Sequence, residues 1–157
     1  MDFKSTLKKG CFALELKSDT KEGVINEMID LLDAAGKLPD KNAALNSVIE
    51  REKKMSTGMQ CGVAIPHGKT DTIDDLLVAF AMKKSGIDFG SLDGQPSKIF
   101  VMTLSSSNRT GPHIQYLAEI SKVLNVPSVR ERLLAAQSVD EIMSILTNSN
   151  SANAPAQ

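Results

Sequence analysis

Phe12, Leu14 and Leu16 alternate with Ala13, Glu15 and Lys17, a period of two that predicts a half-buried strand. Asp19 with Glu22 three residues on forms a capping box with Asp as the cap. Val24, Ile25, Met28, Leu31 and Leu32 then recur at helical spacing until Gly36 stops them. A second amphipathic helix starts at Asp40, behind Pro39, with Leu45, Val48 and Ile49 on one face and Lys53 and Lys54 in the last turn, where cations suit the helix dipole. Gly58 and Gly62 bracket a loop that leads into an apolar run at 63–65, read as a brief strand closed by Pro66 and ending at His67. Residues 76–82 and 99–104 are near-continuous apolar runs too short for helices and read as strands buried on both faces. Gly86, Gly90, Gly94 and Pro96 supply turn chemistry between them, around a further short strand at 87–89. Pro112 suits the first turn of a helix through Ile114, Leu117, Ile120 and Leu124. Pro127 opens another helix, and Ser138 with Glu141 caps a last one through Ile142, Ile145 and Leu146. Residues 148–157 hold Asn, Ser and Ala with one Pro and no large apolar side chain, the composition of a disordered tail.

Strands interleaved with helices predict an α/β fold around one mixed sheet, without repeats and without a second domain. The folded unit is expected over 1–147. A chain of 157 residues buries roughly 68–70% of its unfolded surface, so it needs no metal or disulfide staple. The formal charge of −1 leaves no surplus of Lys and Arg to neutralise phosphate backbones, which argues against nucleic acid and anionic membrane as partners. With five Phe, one Tyr and no Trp, base-stacking platforms are scarce as well. The first residues lack the apolar stretch of a secretory signal and no segment approaches the ~20 apolar residues that cross a bilayer, so the expected location is cytoplasmic. Cys11 and Cys61 are then expected to stay reduced.

The chemistry concentrates around two histidines. His67 stands where a strand gives way to Gly68 and a loop, a place where functional side chains collect. His113 follows Gly111 and Pro112 at a helix start, where free N–H groups and the positive dipole end favour an anion. Arg51 lies near the end of the second helix, and its fork suits phosphate oxygens. Gly58, Gly62 and Gly68 allow the backbone close to a ligand. A Cys2His2 metal set from Cys11, Cys61, His67 and His113 lacks the close ligand pairs of structural zinc sites, and Cys61 lacks the surroundings of a thiol-hydrolase nucleophile.

The run Ser56-Thr57-Gly58-Met59-Gln60-Cys61-Gly62-Val63-Ala64-Ile65-Pro66-His67-Gly68-Lys69, preceded by Arg51-Glu52, resembles the active-site signature of enzyme IIA domains of the bacterial phosphoenolpyruvate-dependent phosphotransferase system. The likeness is to the fructose–mannitol type, which includes the nitrogen-regulatory IIA proteins. It extends over 12–146, taking in Asp93-Gly94-Gln95-Pro96, His113 before its helix, and residues 132–137. It implies a single three-layer domain, a mixed sheet of about five strands with helices on both faces. It also implies a phosphotransferase relay without cofactor or metal. His67 would take a phosphoryl group from the phosphocarrier HPr or its nitrogen-branch relative and, in sugar transport, pass it to a cysteine of a IIB domain. His113 would support the phosphorylated ring by hydrogen bonding, and Arg51 would steady the phosphate. Homodimerisation is left open.

Histidine suits loading and unloading, because neutral imidazole is nucleophilic near its ordinary pKa of about 6.5. Phosphoryl transfer is mostly positioning and charge stabilisation. A ring reached by two partner proteins calls for a shallow apolar rim, for which Met55 and Met59 are candidates. Gln60 stands where the family commonly has glycine, Ser106 where it often has proline, and Gly111-Pro112 where polar residues are usual, which bears on loop shape and partner choice. The alternative is a stand-alone regulator whose phosphorylated His67 controls binding to kinases or transporters, since up to two added charges at an apolar rim disfavour docking.

Overall fold

A computed structural model describes residues 3–152. In chain order the elements are α1 (Phe3–Lys8), β1 (Cys11–Ala13), α2 (Lys21–Ala34), α3 (Lys41–Lys54), β2 (Val63–Ala64), β3 (His67–Lys69), β4 (Leu77–Ile87), β5 (Ser97–Ser105), a 3₁₀ turn (Ser107–Arg109), α4 (Thr110–Leu124), α5 (Pro127–Ala135) and α6 (Val139–Ala152). The two long apolar runs pair as antiparallel strands, β4 against β5, with Ala79 opposite Met102 and Ala81 opposite Phe100. β1 joins the outer edge of β4 in parallel. Both β2 and β3 lie parallel to β5, with Val63 opposite Ile99 and His67 opposite Thr103. The result is a mixed five-stranded sheet in the order β1-β4-β5-β2, with β3 also on β5.

Strand alternation divides the core into two layers. Val78, Phe80 and Met82 of β4 and Ile99 and Val101 of β5 pack with Phe3, Leu7 and the buried faces of α4, α5 and α6. Ala79, Ala81, Phe100, Met102 and Leu104 face α2 and α3, against Val24, Met28, Leu32 and Val48. Helices therefore cover both faces, as the α/β expectation requires. No helix among the described residues is long and apolar enough to cross a membrane.

Several boundaries differ from the sequence reading. β1 ends at Ala13, because Glu15 turns its carboxylate onto the Lys84 N–H at 3.3 Å rather than extending the ladder. The cap of α2 is Thr20, whose hydroxyl accepts from Gly23 N at 3.0 Å, while Asp19 is drawn off to the buried Lys83 ammonium at 3.1 Å. Asp40 does cap α3, accepting from Ala43 N at 3.0 Å. β4 runs on to Ile87 through a register shift, so the separate strand expected at 87–89 is the end of β4 followed by a buried Phe89. α6 continues to Ala152, which replaces the first five residues of the expected disordered tail with helix, and 153–157 lie outside the described residues. Helical hydrogen bonding propagates through the polar residues there, and Ser149 is buried.

α1 has only Phe3 and Leu7 buried and is fixed by tertiary contact, Phe3 stacking on Tyr116 with ring centroids 5.2 Å apart. The Tyr116 hydroxyl is buried with no partner among the described residues, and burial pushes its pKa up. A buried, unpaired hydroxyl costs free energy that its phenyl counterpart does not. Tyr116→Phe is therefore expected to stabilise the fold by about 1 kcal/mol, raising the thermal midpoint by roughly 2–4 °C. A lowered midpoint would show that the hydroxyl has a partner.

Candidate active site

Ile65 and Pro66 interrupt the edge of the sheet, so His67 opens a new strand rather than closing the previous one. Pro66 has no N–H to donate, but its carbonyl accepts from Thr103 N at 3.1 Å and keeps the chain on β5. Upstream, Met59 N donates to Val63 O at 2.7 Å and Ile65 N to Thr57 O at 3.0 Å, a small hairpin. Its turn carries Cys61 and Gly62 at φ values of 62° and 78°, the left-handed pair of a type I′ turn. Gln60 occupies the first corner. Asp93 braces the turn by accepting from Cys61 N at 2.9 Å and Gln95 N at 3.0 Å, bonds that hold its carboxyl below the usual range.

The Arg51-Glu52 pair divides its work. Buried Glu52 accepts from the Thr57 N–H at 2.8 Å and its hydroxyl at 2.5 Å, and its other partner is Lys21 Nζ at 2.7 Å. It thereby fixes the loop between α3 and the hairpin. Arg51 Nη1 donates to Met55 O at 2.8 Å, closing the C-terminal end of α3. Gly68 brings its strand against that helix: a Cβ there would lie 2.9 Å from both Ser47 C and Val48 N. The close approach expected of Gly68 is thus to α3 and not to a ligand.

His67 is half-buried, and its Nδ1 lies 2.9 Å from Ile65 O. A carbonyl only accepts, so Nδ1 carries the proton and, in the neutral ring, Nε2 keeps a bare lone pair. His67 and Arg51 line one cleft of about 350 Å³ together with Met55, Met59, Leu92 and Leu117. Met55, Met59 and Leu92 are 67%, 41% and 68% exposed, so the rim is apolar as expected, with Leu92 an addition. All three lie in loops, Met55 after α3, Met59 in the hairpin and Leu92 between β4 and β5.

His113 lies beneath, its ring edge-on to that of His67 with centroids 5.8 Å apart. It is not hydrogen-bonded to His67. Thr103 Oγ1 stands 2.7 Å from its Nε2 and Ser105 Oγ 2.8 Å from its Nδ1. Burial, with smaller contributions from the charges of His67 and Lys69, pulls its pKa down to about 4, so the ring is neutral at physiological pH. Lys69, on the same strand face as His67, donates to Thr110 Oγ1 at 2.9 Å on the first turn of α4. The three predicted residues are therefore brought together, while Glu52, Thr103 and Ser105 are additions. The only trace of the last two in the sequence is a pair of hydroxyls at alternate positions after the apolar stretch of β5.

The family model described as phosphoenolpyruvate-dependent sugar phosphotransferase system, EIIA 2, matches residues 5–149. This chain belongs to that EIIA family. It is 40% identical over 134 residues to the fructose-specific EIIA component of Haloferax volcanii, covering 85% of this chain and 87% of the relative. It is 38% identical over 146 residues to the fructose-specific EIIABC component of Bacillus subtilis, covering 93% of this chain but spanning only 23% of that relative's length. Among solved structures, the nitrogen regulatory protein IIA-Ntr of Neisseria meningitidis superposes with a TM-score of 0.81 at 28% identity, over 89% of this chain and 94% of that one. The IIA-mannitol chain of Escherichia coli, determined in complex with phosphorylated IIB-mannitol, superposes with a TM-score of 0.75 at 26% identity, over 87% and 94%. Both the sugar-specific and the nitrogen-regulatory branches are therefore similar to this EIIA chain.

Proposed function

We propose that this chain is a cytoplasmic phosphocarrier in which His67 accepts a phosphoryl group from an HPr-type protein and yields it to a IIB cysteine. The observation that carries the reading is the Nδ1 contact to Ile65 O at 2.9 Å, which leaves Nε2 as the free nucleophile in a cleft shared with Arg51. In the loading step the Nε2 lone pair forms a bond to phosphorus as the donor–phosphorus bond breaks, its electron pair staying with the donor. Nδ1 keeps its proton throughout, donated to the Ile65 carbonyl. In unloading, the cysteine thiolate attacks phosphorus and the P–N electron pair returns to Nε2.

Arg51 uses Nη1 on Met55 O, and its remaining N–H donors are suited to the phosphoryl oxygens. Water-poor apolar surroundings strengthen that interaction. The exposed methionines and Leu92 give a docking rim of adaptable shape, fit for small, transient interfaces with more than one partner.

A second reading is supported by the TM-score of 0.81 to IIA-Ntr: a regulator in which the phosphorylation state of His67 governs association with a kinase or transporter. One experiment addresses both. The chain is incubated with a labelled, phosphorylated HPr-type carrier, and the loaded protein is offered to candidate IIB domains. Acid-labile label followed by transfer to IIB is the expected result. Labelling with no transfer to any IIB shifts the assignment to the regulator, and no labelling overturns both readings.

A further inference from the structure

β5 is buried along almost its whole length, yet its end facing α4 carries Thr103 and Ser105, both 0% exposed. A buried hydroxyl is tolerated where it is hydrogen-bonded, and these two meet at one ring. Thr103 Oγ1 is 2.7 Å from His113 Nε2, and Ser105 Oγ is 2.8 Å from His113 Nδ1. The same two residues stand opposite His67 and Lys69 in the β3–β5 ladder. Thr103 therefore stands beside both histidines, opposite His67 in the ladder and bonded to His113 through its hydroxyl.

Counting protons fixes the direction of the bonds. Ser105 Oγ has a second acceptor, Ser106 O at 3.4 Å, whereas Thr103 Oγ1 has no acceptor but His113 among the described residues. If His113 carried its proton on Nε2, the Thr103 O–H would be left without an acceptor in a buried site. With the proton on Nδ1, all three groups are satisfied: Nδ1–H donates to Ser105, Ser105 to Ser106 O, and Thr103 to Nε2. The neutral ring of His113 has only one N–H to place, so the choice is between these two arrangements.

We propose that Thr103 and Ser105 are positioning residues that hold His113 in its Nδ1–H tautomer and fix the edge-on stance of its ring against His67. The inference rests on the reading of His67 as the phosphoryl acceptor. The hydroxyls do not touch the transferred group. They set the wall against which the His67 ring is presented, so their loss should slow transfer without weakening carrier binding.

The test uses the full chain labelled with ¹⁵N. Two-bond proton–nitrogen spectra near neutral pH are expected to show a protonated Nδ1 and bare Nε2 for His113. Thr103→Val, which keeps the side-chain volume, is expected to abolish that single-tautomer pattern and to lower kcat for labelling by about tenfold with KM for the carrier unchanged. Thr103→Ser should restore both. Should Thr103→Val fail to fold, Ser105→Ala carries the same two readouts. A wild-type His113 protonated on Nε2 overturns the proposal. So does a Thr103→Val protein with unaltered kcat, whatever its spectrum. If the wild type takes no label, the acceptor reading of His67 falls, and the tautomer assignment is still decided by the spectra.

Discussion

His67→Ala is expected to take up no phosphoryl group from a phosphorylated HPr-type carrier, a fall of at least about a thousandfold relative to wild type. The substitution removes Nε2, the atom left bare when Nδ1 donates to Ile65 O. The neighbouring ring cannot take over, because His113 is buried and both its nitrogens already face hydroxyls. His113→Ala should therefore leave slow labelling, as the nucleophile persists but loses the ring set edge-on to it at 5.8 Å. Half-buried His67 contributes little to the core, so the variant's thermal midpoint should stay near that of wild type, excluding unfolding as the cause. Equal labelling of wild type and His67→Ala, measured as protein-bound ³²P, would remove His67 from the chemistry.

Gly68→Ala should damage the molecule in a different way. The added methyl carbon would overlap Ser47 Oγ and lie 2.9 Å from Ser47 C and Val48 N. A side chain can swing away from the first contact, but the other two are helix backbone, and relieving them means lifting α3 from β3. Overpacking of that kind costs about 3 kcal/mol, which lowers the midpoint of a chain this size by roughly 6–12 °C. Adding Ser47→Ala removes the hydroxyl contact alone and should recover only part of the loss. Because α3 carries Arg51 and β3 carries His67, the surviving folded protein should also label more slowly. A Gly68→Ala midpoint within about 2 °C of wild type would refute the contact.

Which parts of this architecture could be read in advance follows from how local their signals are. α3 announces itself through Asp40 and its apolar face, and 76–82 and 99–104 through near-continuous hydrophobicity, so the central pair of strands and the two-sided helical cover were legible. The N-cap at Thr20 was not, because Asp19 offers the same local chemistry and is diverted by Lys83, a residue far along the chain. α1 escaped because two apolar residues make no period, and only the Tyr116 ring gives that segment a place to dock. The break at Ile65-Pro66 was visible as a strand end, but that the chain resumes on the same neighbour is a property of the ladder with β5.

The site divides similarly. His67, His113 and Arg51 were named from residue type and from a resemblance to a known family, and the fold gathers them in one region. Glu52 was quoted in the motif but given no role, because a carboxylate in a charged helix end usually faces water, and only the folded loop reveals that it holds Thr57 by two bonds. Thr103 was read inside the buried strand at 99–104 and Ser105 as lying beyond it, since nothing in a period-two pattern tells which hydroxyl will meet an imidazole eight or ten residues on.

The seam at Gly68 bears on timing. Since the helix bearing the guanidinium rests directly on the backbone of the strand bearing the imidazole, their spacing is settled when the chain folds and not afresh at every encounter. A visiting protein surrenders its own translational freedom but asks for little ordering in return, so even a modest contact area can be productive. Residence can then be brief, and throughput is governed by how quickly successive visitors arrive and leave.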